Sequence, residues 1–324
     1  MKAVLCTRFG SLRDLELADV DEPDPAAGEV IVAVKAVGLN FFDMLQIAGK
    51  YQVKPPFPFS PGAEFAGVVE RVAGDVGSVA AGQRVMGWLG HGAARERVAA
   101  PAEALVTIPD ALDFERAAAL GVTYGTSYYA LKDRARLQAG ETLAVLGAAG
   151  GVGLAAVELG KLMGARVIAC ASSDEKLAFA RAHGADHGVN YARENLRDAL
   201  RMLTGGGGVD VVYDPVGGDF TEPAVRALDW GGRLLVVGFA AGAIPKLPLN
   251  LTLLKSCDIR GVFWGAWTRR EPAAHSSNMR ELVAWAAEGK LSAHIHAAYP
   301  LAETAAALEA IADRKVMGKV VLQV

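Results

Sequence analysis

Residues 146–153 read LGAAGGVG, and they stand between an apolar run, Thr142–Leu146, and a segment patterned as a helix, Gly151–Met163. Strand, glycine-rich turn and helix in that order is the setting in which such glycines hold a dinucleotide. Gly150 and Gly151 would let the main chain turn tightly and approach a pyrophosphate. Gly153 would let the helix pack close to the strand. Val152 lies among the first N–H groups of the helix, which with the positive end of the helix dipole meet the phosphates. The spacing departs from GxGxxG, because Ala148 and Ala149 stand where one residue is expected. A ligand-free tight turn has the same composition, so the surroundings have to decide.

Outward from this turn the chain alternates. Apolar strands are expected at Thr142–Leu146, Arg166–Cys170, Gly188–Asn190, Val209–Tyr213, Arg233–Gly238 and Asp258–Val262, with helices at Gly151–Met163, Asp174–His183, Glu194–Leu203 and Glu222–Leu228 between them. The glycine run Gly205–Gly208 is expected to be a loop. Such alternation predicts an α/β fold with a doubly wound parallel sheet. Upstream, Glu29–Val37, Phe65–Val72, Arg84–Gly87 and Glu96–Ala99 are short apolar runs punctuated by Gly and Pro, which predicts a small barrel-like β domain. Alanine- and leucine-rich helices are expected at Phe114–Leu120 and Tyr128–Leu131, then at Ala273–Glu288 and Ala302–Asp313, with a last strand at Lys319–Leu322.

The end of the second strand of the alternating region bears on which dinucleotide binds. NAD-binding proteins carry an acidic residue about 20 residues past the glycines, where it holds the ribose 2′-hydroxyl. Here that position is Ala171, followed by Ser172, Ser173, Asp174, Glu175 and Lys176. A carboxylate would repel a 2′-phosphate, whereas two hydroxyls and an ammonium can bind it. NADPH is therefore the expected cofactor. Ser172 or Ser173 can equally N-cap the next helix, and the two roles are compatible. Asp174 and Glu175 count against the phosphate, since they put negative charge nearby.

The 324 residues suffice for two domains, and with 52% apolar and 21% charged residues the composition is that of an ordinary soluble protein. A net charge of −3 without long runs of one sign argues against nucleic-acid or membrane-surface binding. Cys6, Cys170 and Cys257 are dispersed, which suits a reduced cytoplasmic protein rather than a disulfide framework. The first residues, MKAVLCTRFG, do not read as a signal peptide, and no run approaches the roughly 20 apolar residues of a membrane span. His294 and His296 would share a strand face, but no third metal ligand accompanies them.

Several dispersed motifs resemble the zinc-independent, zeta-crystallin-like NADPH:quinone oxidoreductase branch of the medium-chain dehydrogenase/reductase superfamily. They are AVGLNFFDMLQIAGKY (Ala36–Tyr51), PFSPGAEFAGVV (Pro58–Val69), VTYGTSYYAL (Val122–Leu131), AVLGAAGGVG (Ala144–Gly153), ASSDEKL (Ala171–Leu177) and MGKVVL (Met317–Leu322). The resemblance spans the chain. It implies a GroES-like catalytic domain from residues 1–120 and 266–324, with a Rossmann nucleotide-binding domain, 121–265, inserted and the active site in the cleft between them. Zinc enzymes of the superfamily place metal ligands near Phe41, at Ala63 and around Gly121–Val122, and none of these residues can bind zinc. The four clustered cysteines of a structural zinc site are missing too.

By the same resemblance, Asn40 would reach the nicotinamide or the acceptor oxygen, and Tyr51 would donate a proton or hydrogen bond to the substrate. Thr126 and Tyr129 would meet the nicotinamide half of the cofactor, and Tyr191 the adenosine or its phosphate. Phe239, Phe263, Trp264 and Gly265 would line the nicotinamide pocket. Arg314 and Lys319 would return to the nucleotide. Asp43 and Glu64 are expected to be structural hydrogen-bonding groups. The implied reaction is hydride transfer to a quinone. An enone or enoyl-thioester acceptor is the alternative within that chemistry, and a weakly catalytic NADPH-binding structural or RNA-binding protein is the alternative outside it. The strand Asp258–Val262 is expected at a sheet edge, through which similar proteins form homodimers.

Overall fold

The computed structural model describes all 324 residues. In chain order its strands are β1 (Lys2–Leu5), β2 (Glu16–Asp19), β3 (Glu29–Leu39), β4 (Glu64–Val72), β5 (Arg84–Trp88), β6 (Arg97–Pro101), β7 (Leu105–Thr107), β8 (Thr142–Leu146), β9 (Arg166–Ala171), β10 (His187–Asn190), β11 (Val209–Asp214), β12 (Leu228–Val236), β13 (Asp258–Gly261), β14 (Ile295–Pro300) and β15 (Lys319–Gln323). The helices are α1 (Phe41–Ile47), α2 (Phe114–Tyr128), α3 (Gly151–Leu162), α4 (Asp174–Ala182), α5 (Leu196–Leu203), α6 (Thr221–Ala227), α7 (Asn250–Lys255), α8 (Trp264–Arg270), α9 (Pro272–Ala287) and α10 (Thr304–Ala312). No helix is long and apolar enough to cross a membrane.

The chain divides into two compact units, one of residues Met1–Val122 and Met279–Val324 and the other of Thr123–Asn278. The first unit is β-rich. Its main sheet runs β14-β15-β3-β4-β5-β7, with β6 also paired to β3, and β1 and β2 form a separate antiparallel pair. Valines alternate along β3 and fill the core with Leu39, Phe65, Val85, Val98 and Leu322. The C-terminal segment belongs here because β15 lies antiparallel to β3. Arg116 in α2 also holds it, donating to the carbonyls of Ala286, Leu291 and Ser292 just beyond and at the end of α9. A guanidinium there meets the negative end of that helix.

The second unit carries a parallel sheet in the order β10-β9-β8-β11-β12-β13. This is the doubly wound order whose strand sequence reverses beside the first strand, and ligands gather at the carboxyl ends there. Leu143–Leu146 of β8, Val167–Ala171 of β9 and Val211–Tyr213 of β11 are buried runs without charged residues, as burial on both faces requires. Gly205–Gly208 is the loop between α5 and β11.

The domain ends expected at 120/121 and 265/266 fall instead at Val122/Thr123 and Asn278/Met279. The second shift has a clear cause, because α8 and the start of α9 pack within the nucleotide-type unit. The Trp267 ring stacks on Tyr129 at 4.4 Å, and Asn278 joins Lys132 and Asp133 by hydrogen bonds of 2.9 and 3.1 Å. The helix expected at Tyr128–Leu131 is in part a π-helix, Tyr129–Ala135, a form that no composition signal announces. Strands β1, β2, β7 and β14 and helices α7 and α8 are not legible in the sequence.

Candidate functional site

In the second unit, the register Leu146↔Cys170 and Ala171↔Asn190 sets the carboxyl ends of β8, β9 and β10 side by side, with β11 on the other flank of β8. The turn after β8 runs Gly147–Gly150. Gly147 has φ 59°, a left-handed conformation that a side chain resists. Gly150 is the N-cap of α3 at φ −78°, so it does not need left-handed freedom. The tight turn expected of Gly150 and Gly151 is therefore made by Gly147, which sequence reading passed over. Gly153 behaves as expected, since a Cβ there would sit 2.1 Å from the Gly147 carbonyl oxygen. Gly150 brings no side-chain acceptor, so the N–H groups of Gly151, Val152 and Gly153 face outward from the helix start, as a pyrophosphate requires.

Behind this turn lies a hydrogen-bond chain that sequence reading also missed. Ser127 Oγ donates to the Val152 carbonyl at 2.9 Å and accepts from the fully buried Tyr213 hydroxyl at 2.8 Å. Burial pushes the Tyr213 phenol far up, so it stays a donor. Beside it, Asp214 accepts from the N–H groups of Val216 and Gly217 and from Thr221 Oγ1, fixing the loop after β11.

At the end of β9, Ala171 is buried and Ser172 is exposed. Ser173 is the N-cap of α4, accepting from Lys176 N–H at 3.3 Å. Asp174 does not stand alone, for its carboxylate accepts from Asn190 Nδ2 at 2.7 Å and from Arg193 at 2.8 Å. Tyr191 N–H donates to the Ala171 carbonyl, and its ring packs against Phe220 at 4.4 Å.

Of the other expected cofactor contacts, Trp264, Tyr129 and Phe239 have their rings packed within the same unit. Trp264 is buried over α2, where a Cβ on Gly125 would lie 2.8 Å from its ring. Trp264 is thus a packing residue that explains why position 125 is glycine. Tyr129 lends its ring to Trp267, while Thr126 beside it is half-buried on α2. Phe263 is exposed at the N-cap of α8, and Gly265 lies in the first turn of that helix. Phe239 follows β12 and closes over Gly217, whose Cβ would meet its ring at 2.8 Å.

The first unit holds a buried charged cluster at one end of β3. The register Val320↔Leu39 sets Lys319 opposite Asn40, and Gly38 faces Glu64 on β4. Lys319 Nζ donates to Glu64 Oε1 at 2.6 Å and to Asn40 Oδ1 at 2.5 Å, while Asn40 Nδ2 donates to Glu64 Oε1 at 2.8 Å. Glu64 Oε2 accepts from Val122 N–H at 2.6 Å. Gly38 and Gly121 make room, because a Cβ on either would come within 2.7 Å of the Glu64 carboxylate. Asp43, fully buried on α1, accepts from Asn40 N–H at 2.7 Å. Burial pushes its carboxyl up to about 7 against the pull of that N–H and of Lys319. Tyr51 stacks on Phe42 at 5.2 Å, and burial and then Asp43 raise its phenol. Lys319, expected to meet the nucleotide, is instead only 4% exposed and committed to Glu64 and Asn40. Arg314 is exposed just past α10, in a left-handed conformation at φ 58°. Asp43 and Glu64 are hydrogen-bonding groups, as their sequence context implied.

The chain is similar throughout to known proteins. The alcohol dehydrogenase GroES-like domain family matches residues 26–110, and the zinc-binding dehydrogenase family matches residues 151–288. A quinone oxidoreductase-like protein 2 homolog of Nematostella vectensis is 39% identical over 99% of this chain and 88% of its own length. A quinone oxidoreductase of Pseudomonas aeruginosa is 35% identical over 99% of both chains. The crystal structure of Escherichia coli quinone oxidoreductase complexed with NADPH superposes with a TM-score of 0.93 at 30% identity, covering 100% of both chains. The chain belongs to the quinone oxidoreductase branch of the medium-chain dehydrogenase/reductase superfamily. Its GroES-like part is the β-rich unit, and its Rossmann part is the parallel-sheet unit.

For this quinone oxidoreductase family member, the zinc in one matched family's description finds no donor set. Phe41, Ala63, Gly121 and Val122 offer no ligand atoms, the cysteines are separate and buried, and no three His, Cys, Asp or Glu side chains gather as a metal site. These residues do not fit a zinc ion.

Proposed function

We propose that this protein reduces quinones by metal-free transfer of hydride from NADPH. The observation that carries the reading is the end of β9. A neutral, buried Ala171 stands where NAD-binding proteins keep an acid, Ser172, Ser173 and Lys176 follow it, and Asn190 and Arg193 hold Asp174, one of the two carboxylates whose charge weighs against a phosphate. The solved NADPH complex of the Escherichia coli relative supports the same cofactor. The pyrophosphate would lie on the N–H groups of Gly151–Gly153, and the 2′-phosphate on Ser172, Ser173 and Lys176.

NADPH, when bound, supplies the hydride. What the protein contributes is hydrogen bonding to the acceptor. The Asn40 amide has one N–H on Glu64, and its other N–H has only the Gly38 carbonyl at 3.4 Å, the long end of a hydrogen bond. That second N–H is available to a carbonyl oxygen on which negative charge develops. Tyr51 keeps its proton through neutral pH and can donate in the same way. A quinone spreads incoming charge over its ring, so it needs no Lewis acid. The reading extends to a cytoplasmic homodimer. Buried, widely spaced cysteines support a reducing compartment. The unpaired edge of β13, with Ile259 exposed on the strand and Leu253 and Leu254 exposed on α7 just before it in the chain, supports a second copy as partner.

The test is NADPH consumption with 1,4-benzoquinone, 9,10-phenanthrenequinone and crotonyl-CoA. Quinone turnover unaffected by EDTA is expected. Turnover of crotonyl-CoA alone would make the enzyme an enoyl-thioester reductase, and tight NADPH binding with no turnover would make it a binding protein. Lys176→Ala should weaken NADPH by about 1.5–3 kcal/mol, the scale of a charge-assisted hydrogen bond, and leave NADH nearly unchanged. Equal losses for both nucleotides would remove the phosphate role.

A further inference from the structure

We infer that Lys319 and Glu64 are positioning residues that clamp the Asn40 amide from both ends and present its second, weakly bonded N–H to the acceptor. The inference rests on the role given above to Asn40 and adds how that role is secured. A side-chain amide can rotate about its last bond and exchange its donor and acceptor ends. Here exchange is blocked on both sides. The carbonyl end meets the Lys319 ammonium at 2.5 Å, and the amino end meets Glu64 Oε1 at 2.8 Å. Turning the amide over would set Oδ1 against a carboxylate and Nδ2 against an ammonium, two repulsive contacts in a buried place. Glu64 is itself fixed, since its other oxygen holds the Val122 N–H at 2.6 Å and Gly38 and Gly121 shape its slot.

The clamp is assembled by register. Lys319, Asn40 and Glu64 come from or adjoin the neighbouring strands β15, β3 and β4. Lys319 pairs with a carboxylate that is itself fully buried, and the pair lies 2.6 Å apart. Two charges in such a place are weak evidence of stabilisation for its own sake. They are well suited to holding one orientation of a neutral group. Asp43 adds a third constraint by accepting from the Asn40 main-chain N–H at 2.7 Å.

The experiment is a double-mutant cycle of Asn40→Ala and Lys319→Met, with kcat and KM for quinone, the dissociation constant for NADPH and the thermal midpoint read for each variant. A second neutral variant, Glu64→Gln with Lys319→Met, removes both charges and keeps one side-chain carbonyl, which can accept from Asn40 or from the Val122 N–H but not from both. It stands in if Lys319→Met leaves Glu64 unpaired and unfolds. Asn40→Ala should lower kcat about a hundredfold, the scale of losing one preorganised donor. Lys319→Met, or the charge-free pair, should lower kcat at least tenfold with NADPH affinity within twofold of the parent. On the Asn40→Ala background it should lower kcat no further.

Additive losses in kcat would mean that Lys319 acts independently of Asn40 and would overturn the clamp. So would a tenfold loss of NADPH affinity at unchanged kcat, which would make Lys319 a nucleotide ligand. An unchanged kcat in Asn40→Ala would remove the role of Asn40 in the proposed reaction and the clamp with it. A fall in kcat with Asn40→Ala but not with Lys319→Met would overturn the clamp alone.

Discussion

Asp43 shows what burial does to a single group. Its carboxyl is lifted to about 7 by burial, against an N–H from Asn40 and the Lys319 charge, with Glu64 nearby pushing in the same direction as burial. In the unfolded chain the same carboxyl titrates near 3.9. Between about pH 4 and pH 7 the native protein therefore holds a proton that the unfolded chain has released. Stability from this group is full below pH 4, falls as pH rises through that window and is level above it. Urea midpoints measured from pH 5 to pH 8 should drop in the parent and drop less in Asp43→Asn, whose amide oxygen still accepts from Asn40. Parallel slopes in the two proteins would mean that Asp43 does not titrate there. The residues around it were visible as motifs, but their partnership was not. Sequence gives Asn40 a role toward the acceptor and Lys319 one toward the nucleotide, and nothing local in either stretch records a neighbour 279 positions away.

The turn between β8 and α3 is an element whose geometry the glycine spacing almost specified. LGAAGGVG announced a close backbone approach, and Gly153 makes it, with the Gly147 carbonyl where a Cβ would go. The tight bend expected at Gly150 and Gly151 falls at Gly147, at φ 59°. Gly153→Ala should force α3 away from the turn, cost about 1–3 kcal/mol of stability as overpacking does, and weaken NADPH at least tenfold. Gly150→Ala should be milder, since its Cβ would meet the Gly147 oxygen at an ordinary 3.5 Å. Fluorescence titration with NADPH and thermal melts would check both, and equal effects would mean that close packing at Gly153 is not what the site needs. At the end of β9 the serines serve the helix as well as any ligand, since Ser173 caps α4. A single stretch can hold both roles because a helix N-terminus and a phosphate want the same hydroxyl and N–H groups.

At the scale of the whole molecule, the doubly wound sheet ends at β13, whose outer edge has no partner strand. Ile259 is exposed on β13 and Leu253, at 78% exposure, on α7 just before it in the chain, and exposed apolar groups with an open edge suit a two-fold contact. Sedimentation of the parent should give twice the mass of one chain, and Leu253→Asp combined with Ile259→Lys should give one, with NADPH binding retained. A parent that sediments as a single chain would end the proposal of a homodimer. What the amino-acid sequence determined by itself was the succession of strands and helices through residues 142–262 apart from α7, the phosphate-type turn within it, the missing acid at Ala171 and the absence of metal-ligating side chains at Phe41 and Ala63. These follow from periodicity, glycine spacing and side-chain chemistry, all of which are properties of residues close together in the chain. Only the tertiary structure decided that α8 and the start of α9 stay with the Rossmann unit, that Trp264 packs over Gly125, and that Lys319, Asn40 and Glu64 meet. Strand register between distant segments, and the burial that turns a lysine and a glutamate into a clamp, arise from the packing of the whole sheet, and a one-residue slip would have pointed each of those side chains the other way.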